Sequence, residues 1–366
     1  MISLEDKISN RQIFFIIFIT LSSFTIVELP KTMARSAGTG AWVPLLIAAV
    51  IFSFAVAVII HLGNLFIGKT LFEYSTLLVG KFVTYCFTTI YILYFFGVLS
   101  MLIRSGSEIV KLEILIKTPI WATGLALILF SAFAASKGIS NIGRIFEFFG
   151  YTVFLSIILL SILMFQSGDT LNIFPLFEYK QVNTYIEALP VAIMPFLGIE
   201  VLTMIPISKC NERKAVFYSI CGVLTVCAYY ILAVYLTYML LGVEDTKNYK
   251  DSLFIGIRLL DIEMLQFLKR LDIVAFTVWI YSMFCTITIV IYALYEYTHK
   301  IFSKAKSQKL FIVVCGLVYI AALLPASSDE AAQIFTYLTM YFGLIPAFII
   351  PMILLVTAKV KNYGKN

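Results

Sequence analysis

Ten times along its 366 residues this chain becomes apolar for about one bilayer's worth of helix, and that recurrence limits its fold more than any other feature. An α-helix rises 1.5 Å per residue, so about 20 apolar residues cross the roughly 30 Å hydrocarbon layer. The runs lie at about Arg11–Leu29, Ala41–Leu62, Phe82–Arg104, Pro119–Ala135, Ile142–Phe165, Tyr185–Ile207, Ala215–Leu241, Leu271–Lys300, Lys309–Leu324 and Ala331–Ala358. The chain is 61% hydrophobic and only 13% charged, with mean hydropathy +0.97, which excludes a soluble domain of this size. The expectation is an all-α polytopic membrane protein with ten transmembrane helices, forming one domain over residues 1–366.

The N-terminal residues Met1–Asn10 are short and polar, so the first run reads as a retained span rather than a cleaved signal peptide. The net charge of +6 reports orientation, not nucleic-acid binding. With both termini placed on the cytoplasmic side, 16 of the 27 Lys and Arg residues fall inside, and the short outer connections are poor in them. Cys86, Cys210, Cys221, Cys227, Cys285 and Cys315 form no CxxC pair and read as small apolar fillers. His61 and His299 have no metal-ligand spacing around them. Without a phosphate-binding glycine loop, a metal set or a nucleophile–base pairing, the sequence predicts no enzyme, no metal and no cofactor.

Two spans are interrupted. The sixth carries Pro190, Pro195, Gly198, Glu200 and Pro206. Pro195 has no N–H to give and its ring clashes with the preceding turn. Gly198 accepts backbone angles that other residues resist. Open backbone at membrane depth survives only inside protein or along a wet cavity, and Glu200 there needs a partner, a proton or water. The first span reads Leu21-Ser22-Ser23-Phe24-Thr25-Ile26 ahead of Pro30. Interrupted spans at matching places in two halves are the best sequence pointer to a transporter-type binding site. The halves are 1–166, with the N-terminus, and 167–366.

The predicted ligand-binding set is Ser22, Ser23, Phe24, Thr25 and Ile26 from span one, Tyr94 from span three, Phe196, Leu197, Gly198 and Glu200 from span six, and Cys285 and Thr286 from span eight. The N-terminal end of the later half of span six favours an anionic group, and unwound carbonyls favour a cation, so a zwitterionic amino acid suits the site. Tyr91 stands one turn from Tyr94 as a second candidate phenol. Arg104 and Glu108, four residues apart, suit an ion pair. Leu71–Leu78 and the region after Ser252 read as surface helices.

Several stretches together resemble the spore germination permease family, the B subunits of nutrient germinant receptors. They are Leu29-Pro30 with Ala37-Gly38 and Ala41-Trp42; Phe196-Leu197-Gly198-Ile199-Glu200-Val201 ending at Pro206; Leu268-Lys269-Arg270-Leu271-Asp272 running on to Val278-Trp279-Ile280; and Leu324-Pro325 ahead of Asp329-Glu330. Arg104, Glu108, Val110, Lys111 and Thr118-Pro119 add to them. The resemblance implies a LeuT-like five-plus-five inverted repeat with broken helices 1 and 6. It also implies a nutrient-sensing subunit in the spore inner membrane that works with an A subunit and a lipoprotein C subunit. Ser23 and Thr25 stand where the family often has a Gly-x-Gly-like pair. A proton-coupled amino-acid permease of the same fold is the alternative, and a ligand-free scaffold or conduit is a third class.

Overall fold

A computed structural model describes residues 8–207, 212–260, 271–302 and 306–363. Expectations resting on Met1–Lys7, Lys209, Cys210, the Asp261–Arg270 stretch, Lys304 and Lys365 lie outside these residues. The described chain is helical almost throughout. Its first half contains α1 (Asn10–Leu21), α2 (Leu29–Ser36), α3 (Trp42–Leu65), α4 (Leu71–Val79), α5 (Lys81–Glu113), α6 (Ile120–Ala135) and α7 (Ile139–Ser167). After it come α8 (Val182–Glu187), α9 (Leu189–Ile193), α10 (Glu212–Leu241), α11 (Val243–Thr246), α12 (Ser252–Arg258), α13 (Leu271–Ile301), α14 (Ser307–Ala322), α15 (Ser328–Tyr337) and α16 (Ile350–Val360).

Six helical stretches are long and apolar enough to cross a membrane, and a seventh results if Tyr179–Glu187 and Leu189–Met204, bent by 57°, count as one span. The other three expected spans fall on shorter apolar helices: α1 with 12 residues, α6 with 16 and α14 with 16. Sixteen residues rise about 24 Å, short of a full crossing. The order of the ten runs is therefore met, while three of them are shorter than a span. Proline and glycine set these limits. Pro119 caps α6, Gly138 with φ +83° follows it, and Pro325 stands just beyond α14.

The first helix sits inside the bundle, with Phe15 through Leu21 all buried. Its start is fixed by a capping box, in which the Ser9 hydroxyl accepts from the Gln12 amide and the Gln12 side chain accepts from the Ser9 amide. α10 packs on α1 and α3, and α13 packs on α5, α6 and α7. Close approach is made by small residues. A Cβ on Gly150 of α7 would stand 2.2 Å from the Phe15 ring, and one on Gly222 of α10 would stand 3.2 Å from Ile17.

Two departures from regular winding are as expected and one is not. Span one leaves the helix at Ser22 and resumes at Leu29 with Pro30 in the first turn, where its missing N–H costs nothing. Span six breaks at Leu197, which is extended, and Gly198, with φ +134°. Its later half, Ile199–Met204, is a 3₁₀ helix rather than an α-helix. The last span contains two π-helical stretches, Leu338–Phe342 and Ile345–Ile349. Pro346 and Pro351 each remove a backbone donor from that segment, which loosens the i→i−4 ladder.

Candidate functional site

The two interruptions meet. One small cavity, about 40 Å³, is lined by Ser23, Phe24 and Thr25 from span one and by Pro195, Leu197, Gly198 and Glu200 from span six. α5 adds Tyr94, α13 adds Thr286, and the last span adds Phe335 and Thr339. No Lys, Arg or His is among the described residues on its wall.

Glu200 is 2% exposed and already has a partner. Its Oε2 accepts from the Gly198 amide at 2.8 Å. The expectation at this point is therefore revised. The positive end of the later half-helix, read from sequence as a seat for an anion, is held by the chain's own carboxyl group. The Tyr94 hydroxyl lies against the same carboxyl. On the opposite wall, the Thr20 hydroxyl is buried without a hydrogen-bond partner, and the Thr25 hydroxyl lies against that of Tyr230. The cavity thus sets an acceptor-rich wall at span six against hydroxyls at span one.

The carbonyl ends of both first halves are held by one side chain. Tyr230 of α10 places its hydroxyl 2.6 Å from the Leu21 carbonyl oxygen and 2.8 Å from that of Pro195. Toward the α4 end, the Thr203 hydroxyl meets the Tyr297 hydroxyl at 2.8 Å, and Tyr297 stacks on Tyr91 with ring centroids 4.9 Å apart. Tyr91 in turn donates to the Pro346 carbonyl at 2.6 Å. Of the two candidate phenols, Tyr94 lines the cavity and Tyr91 ties α5 to the last span.

At the other end, the rings of Phe24 and Phe335 meet edge to face at 4.9 Å. Beyond them lies a second space of about 90 Å³ that shares Phe24, Thr25, Met194, Pro195 and Phe335 with the central cavity and adds Glu28, Thr32 and Thr336. Arg104 and Glu108 pair at 3.8 Å farther along α5.

Eight of the twelve predicted residues line the central cavity: Ser23, Phe24, Thr25, Tyr94, Leu197, Gly198, Glu200 and Thr286. Ser23 and Thr286 bond back to their own chain, to the Thr20 and Ser282 carbonyls at 3.0 and 2.9 Å. Ser22 and Ile26 point to a different chamber, behind the span-one turn. Phe196 is fully buried against Phe52 and Tyr230, with centroids 5.7 and 5.3 Å away. Cys285 is buried off the cavity wall, because neighbours on a helix point about 100° apart. Sequence reasoning missed Thr20, Tyr230, Phe335 and Thr339. Only Pro346 and Pro351 offered a sequence signal, marking the last span as another irregular wall.

A bundle whose first and sixth segments break halfway and face one another across a small chamber defines a transporter-type fold, LeuT-like in arrangement. The crystal structure of MhsT in complex with L-phenylalanine superimposes with a TM-score of 0.71, at 12% identity, covering 94% of this chain and 89% of that one. Residues 7–331 match the family described as Spore germination protein, and the chain belongs to that family. Among its relatives in Bacillus subtilis (strain 168), Spore germination protein A2 is 27% identical, with 97% of this chain and 96% of the relative covered. Spore germination protein YndE is 24% identical over the full length of both chains. Spore germination protein KB is also 24% identical, covering 97% and 95%.

Proposed function

We propose that this protein is the nutrient-sensing membrane subunit of a germinant receptor and that the nutrient is an amino acid held between the two breaks. The observation that carries the reading is the cavity's polarity: the Glu200 carboxyl with the Tyr94 hydroxyl of α5 against it, and the Thr20 and Thr25 hydroxyls opposite. Those groups match the two ends of an amino acid, its amine toward span six and its carboxylate toward span one. A neighbour of the same fold holds L-phenylalanine.

The space of about 40 Å³ has room for about three waters, so occupancy by an amino acid requires its walls to part, and the Phe24–Phe335 pair stands between it and the neighbouring space. A ligand that favours the parted state shifts the equilibrium by its differential affinity alone. The shift would pass to an A subunit and a lipoprotein C subunit in the spore inner membrane, with both termini cytoplasmic and the two repeat halves, 1–166 and 167–366, rocking about the breaks.

The test fills the cavity from a rigid helix. Val98→Trp on α5 is expected to abolish the response of spores to the nutrient while the protein remains in the membrane at its normal level. A full response in that strain would overturn the reading. The second reading, a proton-coupled permease, is favoured by Glu200 itself, a carboxyl group inside the cavity. It requires uptake of labelled amino acid into proteoliposomes under a proton gradient, lost in Glu200→Gln.

A further inference from the structure

We infer that the chain carries a second small-molecule site, a chamber behind the span-one turn, that takes an uncharged apolar molecule presenting one hydrogen-bond acceptor. The turn divides its residues between two spaces. Ser23 and Thr25 face the central cavity, whereas Ser22 and Ile26 face a separate one of about 50 Å³ enclosed by α7, α10 and α13. The outer helix α12 roofs it with Leu253, Phe254 and Ile257, all buried.

Two polar groups on this wall have no partner. The Ser22 hydroxyl, on a residue 4% exposed, and the Trp279 indole N–H, on a residue 5% exposed, make no hydrogen bond. An indole nitrogen can only donate, so what completes it must accept. Among the described residues the chamber wall has no Asp, Glu, Lys, Arg or His, so a charged occupant would be buried without a counter-charge. Buried polar groups left unpaired in a folded protein call for an explanation. Water would satisfy these two but leave the apolar wall wet. A molecule with an apolar body and one acceptor oxygen completes the indole N–H and keeps that wall dry.

The size sets the class further. A water needs about 10–15 Å³ of such free space, so about 50 Å³ suits a compact body of a few heavy atoms and excludes a long acyl chain. Met164 on the wall can adjust around such a body. Since Ser22 belongs to the turn that also places Ser23 and Thr25, an occupant here and a ligand in the central cavity share one flexible partition. By linkage, any effect of one on the other's affinity is reciprocal.

The full-length protein contains three tryptophans, Trp42, Trp121 and Trp279, so 5-fluorotryptophan labelling gives three fluorine resonances with one inside the chamber. The probe is 2-butanone, with 2-methyl-1-butene as the same shape lacking the acceptor. We expect a saturable shift confined to the Trp279 resonance, at least tenfold weaker affinity for the alkene, and loss of the shift when Ala233→Leu fills the space. Unmoved Trp42 and Trp121 resonances report that the variant is folded, and Ala275→Leu provides a second filling from another helix. The inference is overturned by equal binding of the alkene, by a shift of all three resonances, by a shift that does not saturate, or by one that survives both filling variants.

Discussion

The hydroxyl of Tyr230 stands 2.6 Å from the carbonyl oxygen of Leu21, the last helical residue before the span-one break. The same oxygen is 2.8 Å from the Pro195 carbonyl, just before the span-six break. One hydroxyl has one proton, so it serves the two carbonyls in turn or shares between them. Helix ends leave carbonyls unpaired, and inside a membrane bundle water is scarce. Tyr230 therefore joins the two broken spans through a single atom.

Tyr230→Phe should loosen that junction. Leaving a buried acceptor unpaired costs about 1–3 kcal/mol, which corresponds to a fall in the unfolding midpoint of about 2–6 °C. Thermal unfolding of the purified protein measures it, with Tyr229→Phe as the neighbouring control. An unchanged midpoint would mean that the two carbonyls find other partners.

Glu200 makes a prediction about ligand chemistry. Because its Oε2 holds the Gly198 amide, a ligand carboxylate at the same place would meet a like charge and an occupied donor. Amino-acid amides should retain most of the affinity of the parent amino acid, and the deaminated acids should lose it. Glu200→Gln keeps an oxygen for Gly198 but removes the charge, so it should weaken amine ligands at least tenfold, in line with about 1.5–3 kcal/mol for a charge-assisted bond. Scintillation proximity or calorimetric binding to the purified protein decides. Deaminated acids binding as well as the amino acid would sink the assignment.

The breaks were legible because they are written in covalent chemistry. Pro195 lacks a donor and Gly198 lacks a Cβ, and both facts hold whatever surrounds them. The surface helix read at Leu71–Leu78 from its amphipathic pattern is present as Leu71–Val79, and the Glu73 carboxylate accepts from the Thr70 amide at its start. What was not legible depends on the rotation of each helix in the bundle. Tyr230 and Phe335 stand among other aromatics on their helices, and nothing local says which of these faces the cavity. Ser22 and Ser23 are adjacent yet serve different chambers, because a turn without helical period sits between them. Hydropathy gave both the place and the short length of α6 and α14, within a residue or two at each end.

The Phe24–Phe335 contact separates the central cavity from the second space that contains Glu28. Phe335→Ala should merge the two. In a background without native cysteines, Thr286→Cys should then react with a small water-soluble thiol reagent several-fold faster than it does with Phe335 present. An unchanged rate would place the barrier elsewhere.

Packing of the buried first helix makes a paired prediction. An added Cβ at Gly150 would lie 2.2 Å from the Phe15 ring, so Gly150→Ala should cost about 1–3 kcal/mol through overpacking. Gly316 of α14 is exposed, with nothing within 4 Å of a built Cβ. Gly316→Ala should therefore be neutral or stabilising by up to about 1 kcal/mol from helix propensity. Thermal unfolding of both variants in one detergent tests the pair, and equal losses would contradict the close approach of α1 and α7.

The surface helix α4 is tied to the bundle by the Glu73 carboxylate, which meets the Lys300 ammonium at 2.7 Å. Partial burial alone would raise the Glu73 pKa, but Lys300 and the Thr70 cap outweigh it and hold it below the ordinary value of 4.5. A folded-state pKa below the unfolded one stabilises the folded form above that unfolded value. The contribution then disappears as pH falls through the lower folded value. Both side chains are about one-third exposed, so screening limits the pair to at most about 1 kcal/mol. Hydrogen exchange across Leu71–Val79 should therefore be faster in Lys300→Met than in the unmodified protein at pH 7. The difference should shrink steadily below pH 4.5 as Glu73 takes up its proton. Equal exchange in the two proteins at pH 7 would show that α4 is held by its apolar face, through Leu71, Tyr74 and Leu78, and not by the ion pair.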